Sequence, residues 1–371
     1  MRTLGIVFSN IYDSSLGELT NNRTVASLPF GGRYRQIDFV LSNMSKSGIH
    51  NIGVITKYNY RSLMDHLGSC ADWDLNRKNA GLTILPPFSS GNTIVYKGKM
   101  EALYSAAHFI DNEKFEYVVL SDSNVLCTID YKPAIEKHIT SGADVTIITA
   151  GDHADRKEKH HLVVKADKKG KAKEILIDAP YQKGSYVGVG MFIIKRDLLV
   201  KAINECYSKG LVHFERDLIQ RGFNEDKLTV NVYEYDGIVL RNDNVQSYYN
   251  NNMLLLNKRI RDGLFNANNP LYTKVRDEIP SKYNLGSKVN NCLIADGCEI
   301  SGEVQDSIVF RGVKIEKGAV VKNCIIMQGT TVSKDANLDC VILDKNVTVK
   351  ENVSLKGTKE HAVIIKKGET V

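Results

Sequence analysis

Short, unbroken apolar runs punctuate the first 250 residues. Leu4-Gly5-Ile6-Val7-Phe8 is ended by Ser9-Asn10, and Asn51 to Thr56, Tyr117 to Ser121 and Asp144 to Ile148 repeat the pattern. Between them lie stretches with helical spacing of apolar positions, such as Gln36 to Lys46 and Met100 to Asp111. A run that is apolar at every position predicts a strand covered on both faces, and runs alternating with helices predict an α/β domain with a mainly parallel sheet. Ligands of such sheets lie beyond the carboxyl ends of the strands. The residues just after each run are therefore the ones to read for chemistry.

Beyond residue 286 the pattern changes to a short repeat. Four nine-residue frames start at Cys292, Ser307, Cys324 and Val341. Each opens with apolar residues and has Gly or Asn at its sixth place: Gly297, Gly312, Gly329 and Asn346. A β-branched residue holds the ninth place: Ile300, Ile315, Val332 and Val349. Gly and Asn tolerate the positive φ of a tight corner. Coils of roughly 18 residues with three short faces predict a left-handed parallel β-helix, the alternative being an ordinary sandwich. Asn-Asn-Pro at 268 to 270 and Ile279-Pro280 read as punctuation between the two patterns. The expected organisation is a domain over 1–255, a linker over 256–285 and the β-helix over 286–371.

Composition narrows this little. The 371 residues suit two domains at about 150 residues each. The formal charge of +6 is mild and scattered. It suits an anionic sugar phosphate or nucleotide and argues against nucleic acid, which calls for a clustered basic face. Seven cysteines without a CxxC pair read as buried thiols rather than a disulfide frame or zinc site. No long apolar stretch suggests a leader or a membrane span, so a cytoplasmic protein is expected.

Three stretches form one constellation: Leu28-Pro29-Phe30-Gly31-Gly32-Arg33-Tyr34-Arg35-Gln36-Ile37-Asp38-Phe39-Val40-Leu41-Ser42-Asn43, Ser141 to Thr146, and Tyr248 to Leu255. With the β-helix behind them they resemble the ADP-glucose pyrophosphorylases (glucose-1-phosphate adenylyltransferases), whose first stretch reads P-F-G-G-x-Y-R-I-I-D-F-x-L-S-N. The resemblance covers nearly the whole chain. It implies a Rossmann-like nucleotidyltransferase domain, a carboxyl-terminal left-handed β-helix, and tetramers that supply glycogen or starch synthesis. It also implies attack of glucose 1-phosphate on the α-phosphate of ATP. That chemistry needs a Gly-rich loop, basic side chains and Mg²⁺-holding carboxylates.

The sequence departs from the family at each requirement. Where the family has L-A-G-G-x-G-T-R-L, this chain has Phe8-Ser9-Asn10-Ile11-Tyr12-Asp13-Ser14-Ser15-Leu16. The lysine before the proline-phenylalanine turn is Val25, with Arg23 nearby as a partial substitute. L-S-G-D-H becomes Leu120-Ser121-Asp122-Ser123-Asn124, leaving Asp122 as a slipped metal candidate. The second metal aspartate becomes Arg241, and Asp243 is expected to cap the following helix. G-T-A-D-A becomes Gly98-Lys99-Met100-Glu101-Ala102, the glutamate-lysine pair becomes Asp178-Ala179, and F-G-K-D becomes Phe214-Glu215-Arg216-Asp217. Ser9, Asn10, Arg23 and Asp122 remain as candidates for a remnant nucleotide pocket. Tyr96, Gly98, Glu101, Arg216 and Asp217 remain for a remnant sugar-phosphate pocket. No catalytic residue and no resident metal or cofactor is expected in this chain.

Joint loss of the chemistry with retention of the framework resembles the GlgD-type subunits of the family. What that implies is a pseudoenzyme: a regulatory subunit that joins a catalytic GlgC-type subunit, which would use Mg²⁺, in a hetero-oligomer, a tetramer as in the family. Two other readings stay open. One is an active transferase, itself using Mg²⁺, that makes ADP-glucose and pyrophosphate with Arg23 and Asp122 as substitutes. The other is a stand-alone sugar-phosphate sensor.

Overall fold

A computed structural model describes residues 2–78, 80–87, 96–150, 159–266 and 269–371. Asn268 of the expected linker lies outside the described residues. Contacts divide the chain into two compact units: Met1–Ile11, Ile37–Leu240 and Ala267–Tyr272 make the first, and Tyr12–Gln36, Arg241–Asn266 and Thr273–Val371 the second. The segment expected as a linker carries a helix at Lys258–Leu264 and the strand Lys282–Tyr283.

The first unit is built on a nine-stranded sheet: β1 (Thr3–Phe8), β2 (Asn51–Ile55), β3 (Gly81–Leu85), β4 (Tyr117–Asp122), β5 (Val145–Ala150), β6 (Lys159–Ala166), β7 (Ala172–Pro180), β8 (Ser185–Lys195) and β9 (Val230–Tyr235). The order is β7-β6-β8-β4-β1-β2-β3, with β5 joining β8 to β9. β3, β2, β1 and β4 run parallel, as do β5 and β9. The long β8 pairs antiparallel with β4, β5 and β6 and bends at a register shift between Gly188 and Met191. Every residue of β1 is buried, as the unbroken apolar run predicts.

Helix α1 (Gln36–Lys46) begins and ends where the pattern placed it. Its polar face is not solvated: Asp38, Ser42 and Asn43 are as buried as Ile37, Phe39 and Val40. Asp38 meets His66 at 2.5 Å, and the Asn43 amide donates to the Cys127 carbonyl at 2.9 Å. Buried polar groups persist when they find such partners. The stretch from Met100 to Asp111 is two helices, α2 (Lys99–Ser105) and α3 (Ala107–Ile110), broken at Ala106. α4 (Arg196–Ser208) packs on α2.

The second unit holds the repeat. Its short strands stack into three parallel five-stranded sheets. One contains Leu293–Ile294, Ile308–Val309, Ile325–Ile326 and Val341–Leu343, the openings of the four frames. Another contains Ile300, Ile315, Val332 and Val349, the ninth places, stacked in register and fully buried. The sixth places turn the corner with φ of 74°, 63°, 72° and 57° at Gly297, Gly312, Gly329 and Asn346. This is the left-handed parallel β-helix that the spacing predicts. A second left-handed corner, at Asn291, Asp306, Asn323 and Cys340, was not read from the sequence. All seven cysteines are free thiols, six of them buried.

Helix α5 (Val245–Leu254) explains the Tyr/Asn-rich stretch. The Tyr248 hydroxyl donates to the Pro29 carbonyl at 2.6 Å, Asn252 accepts from the Gly31 N–H at 3.0 Å, and the Tyr249 hydroxyl donates to the Asn323 carbonyl at 2.7 Å. Asn244, not Asp243, caps this helix in a reciprocal box with Ser247. Asp243 is instead drawn to Arg241 at 2.9 Å, a charge-assisted contact.

Candidate functional site

In the first unit, four elements bring charge to the carboxyl end of β4. β4 ends in Asp122, α2 begins at Lys99, the helical segment Phe214–Gln220 supplies Glu215, and β6 supplies His161. The Lys99 ammonium lies 2.8 Å from Asp122 Oδ1, 3.0 Å from Asp122 Oδ2 and 2.5 Å from Glu215 Oε1. Lys99, Asp122 and Glu215 are 4%, 1% and 5% exposed, so this is a dry ion cluster. The Phe8 and Phe192 rings also face the ammonium, at 5.5 and 5.6 Å. His161 Nε2 stands 3.7 Å from Glu215 Oε2, and His161 Nδ1 is 3.1 Å from Asp178. Asp178 meets the exposed Arg216 at 3.3 Å. Burial works to raise the Glu215 carboxyl, but Lys99 and His161 outweigh it and hold it well below the usual range. The Glu215 hydrogen bond raises His161 against the opposing effect of burial.

The remaining candidates of this unit serve its backbone. The Ser9 hydroxyl donates to the Ile55 carbonyl at 2.8 Å, and Asn10 bridges the Lys57 N–H and the Tyr58 carbonyl, so both tie β1 to the end of β2. Gly98 passes so close to Val212 that a Cβ there would lie 2.2 Å from its carbonyl oxygen. Asp217 accepts from the N–H groups of Val212 and His213 at 2.9 and 2.8 Å. Gly98 and Asp217 therefore meet at one backbone segment. Glu101 accepts from the Lys97 N–H at 2.5 Å, and Tyr96 is buried with Lys57 4.8 Å above its ring. Lys99, Glu215 and His161 were not singled out from the sequence. A signal was present: Lys99, Asp122 and Glu215 stand at positions where the family motifs carry Thr, Gly and Gly.

In the second unit the remodelled loop is anchored by its own side chains. Asp13 is buried and accepts from the Val25 N–H at 2.7 Å. Its carbonyl accepts from the Thr20 hydroxyl at 2.6 Å. The Arg241 guanidinium lies 5.5 Å from the Tyr12 ring centre. Arg23 is buried and donates to both Asp344 oxygens at 2.7 Å, a two-point contact with the β-helix. Arg23 belongs to this unit, whereas Ser9, Asn10 and Asp122 belong to the first.

In the same unit Arg311 and Lys345 each sit among other cations. Arg311 is buried, and its Nε and Nη2 have no hydrogen-bond partner. Burial and the neighbouring Arg33 and Arg276 lower its affinity for a proton, partly offset by Asp296 and Glu278. Burial, with Arg35, Arg23 and Arg276, pushes the Lys345 ammonium down to about 6 despite Asp344. A buried guanidinium with unspent donors is suited to an anion with several oxygens.

The two aligned metal positions hold Ser123 and Arg241, a hydroxyl and a cation, and do not fit Mg²⁺. Among the described residues no group of three or more His, Cys, Asp or Glu is placed to hold a metal ion. Among them, too, no helix is long and apolar enough to cross a membrane.

Comparison with known proteins agrees with this architecture. Residues 13–238 match the family described as nucleotidyl transferase, and residues 279–362 match the GlmU-like C-terminal hexapeptide family. The chain is 34% identical to the glycogen biosynthesis protein GlgD of Bacillus subtilis (strain 168), over 98% of this chain and 96% of the relative. It is 37% identical to GlgD of Geobacillus stearothermophilus, over 99% and 96%. It is 30% identical to the glucose-1-phosphate adenylyltransferase of Fervidobacterium nodosum, over 95% and 85%. The chain thus belongs to the nucleotidyl transferase family, in the group that joins this domain to a hexapeptide β-helix and includes the GlgD proteins and the glucose-1-phosphate adenylyltransferases.

Proposed function

We propose that this chain serves glycogen biosynthesis as a non-catalytic regulatory subunit in the cytoplasm, joining a catalytic GlgC-type glucose-1-phosphate adenylyltransferase chain in a tetramer and shifting its activity. The observation that carries this reading is that charge near the expected chemistry is spent internally. Lys99 is held between Asp122 and Glu215, and Arg241 is held by Asp243 and Tyr12. Nucleotidyl transfer needs donors and carboxylates aimed at phosphate and Mg²⁺ rather than at one another. Mg²⁺ then belongs to the partner's chemistry. The unpartnered donors of the buried Arg311 support regulation, because they offer an anionic effector a partner other than the Lys99 cluster. Such an effector changes the partner only by binding its two states unequally, and couplings of this kind reach about 5–150-fold.

The test is to assay the purified chain for ADP-glucose from ATP, Mg²⁺ and glucose 1-phosphate, alone and mixed with a catalytic relative. No turnover alone, co-elution on size exclusion and an altered rate in the mixture are expected. Robust turnover alone would establish the active transferase reading instead. Separate elution with an unchanged rate would leave a stand-alone sensor.

A further inference from the structure

We propose that a cavity between α4 and the helical segment after it binds a small amphipathic carboxylate, its apolar body on the cavity floor and its carboxylate at Lys201. The cavity measures about 350 Å³ and lies within the first unit. Small-molecule pockets usually measure about 300–1,000 Å³. α4 lines it with Leu198, Lys201, Ala202, Glu205 and Cys206, one helical face at spacings of three and four residues. Leu218, Arg221, Gly222 and Glu225 repeat that spacing on the second wall. That wall begins as a π-helix at Phe214–Gln220, a rare winding found mostly at functional sites. Ala202 ends at Cβ and Gly222 has no side chain, so neither fills the space between the two faces.

Leu198, Ala202, Cys206, Leu218 and Leu228 give the cavity its apolar surface. Burial raises the Cys206 thiol, helped by Glu205 and Asp217, so it stays protonated and neutral. The acids of the lining are already engaged. Glu225 accepts from Arg221 Nε at 2.8 Å and from Lys227 Nζ at 2.6 Å, Glu205 is paired with Lys209, and Asp217 accepts from the N–H groups of Val212 and His213. Lys201 is exposed and makes no direct ion pair among the described residues. The unspent charge of the lining is therefore cationic. A phosphate, with its two charges and tight hydration, would meet Glu205 and Glu225 and the apolar floor. One carboxylate on an apolar body satisfies both the lysine and the floor. The site uses no member of the Lys99 cluster and holds whichever of the three functions the chain serves.

Isothermal titration of the full chain with octanoate, octanamide and acetate tests this. Octanoate should bind with one-to-one stoichiometry. Acetate, which lacks the apolar body, should bind at least about tenfold more weakly. Octanamide, which lacks the charge, should bind about threefold more weakly. Lys201→Met should weaken octanoate by about threefold and leave octanamide unchanged. Ala202→Leu, which fills the cavity, should abolish binding of both. Lys201 is exposed, so Lys201→Met decides the matter even if Ala202→Leu does not fold. The proposal is overturned if octanoate does not bind, if acetate or octanamide binds as tightly as octanoate, or if octanoate binding is the same in Lys201→Met as in wild type. It is equally overturned by a folded Ala202→Leu that binds octanoate with wild-type affinity.

Discussion

Arg23 illustrates how far a single residue is legible in a sequence. Its charge marks it as a candidate for phosphate, yet its partner Asp344 lies 321 positions away and no local pattern connects them. Two buried, two-point contacts at 2.7 Å make the pair structural. Removing one partner leaves a buried charge unpaired, at a cost of about 3–5 kcal/mol, whereas replacing both by apolar residues is often close to neutral. Arg23→Ala should therefore lower stability by about 3–5 kcal/mol in chemical denaturation, and Arg23→Met with Asp344→Leu by much less. His161 gives a prediction in pH. Its folded pKa is raised, so the stabilisation it adds is fully present below its ordinary value of about 6.5 and is lost as pH rises through the raised one. The difference in Tm between wild type and His161→Gln should be largest below about pH 6.5 and shrink toward alkaline pH. Glu215 has the opposite sign: its contribution is present above the usual carboxylate range and disappears in acid.

At the scale of elements, legibility follows periodicity. The β-helix was readable because a β-branched ninth place and a Gly or Asn sixth place recur where coils must turn. The corners are also where its stability can be tested. Gly329 has a φ of 72°, and a Cβ there would lie 2.5 Å from the Asn346 side-chain oxygen in the next coil. Gly329→Ala should cost about 1–2 kcal/mol from the left-handed backbone alone, with the close approach adding to it. Asn346→Gly, at the same corner, should be nearly neutral. Thermal unfolding of the two variants separates these outcomes. α1 was located by its apolar spacing, but burial of its polar face was not foreseen. That burial depends on His66 and the Cys127 carbonyl, which are distant in sequence. The break at Ala106 likewise has no Gly or Pro to announce it.

For the whole molecule, net charge was a poor guide, and the arrangement of the charge decides more. Part of the basic surplus gathers around Arg311 and Lys345 in the second unit, on residues widely separated in the sequence. Lys345 is mostly neutral above its value of about 6, so binding an anion there takes up a proton. Sulfate, which does not titrate in this range, should bind up to about tenfold more weakly for each pH unit above 6. Isothermal titration from pH 6 to 8 measures this slope. Lys345→Met should flatten it. A pH-independent sulfate affinity in wild type would show that Lys345 takes no part in the binding.

The order of elements, the two kinds of architecture and the family were determined by sequence alone, because they rest on patterns that repeat within a few residues: unbroken apolar runs, the coil period and an ordered motif from Leu28 to Asn43. The loss of the family's loop, lysine and aspartates was equally legible, position by position. What filled the vacated places was decided only by tertiary structure. Lys99 meets Asp122 and Glu215, and Arg23 meets Asp344, across separations of 23, 116 and 321 residues. A charge becomes a ligand, a cap or a counter-ion according to what stands within about 3 Å of it in a medium without water. One-dimensional spacing does not carry that information.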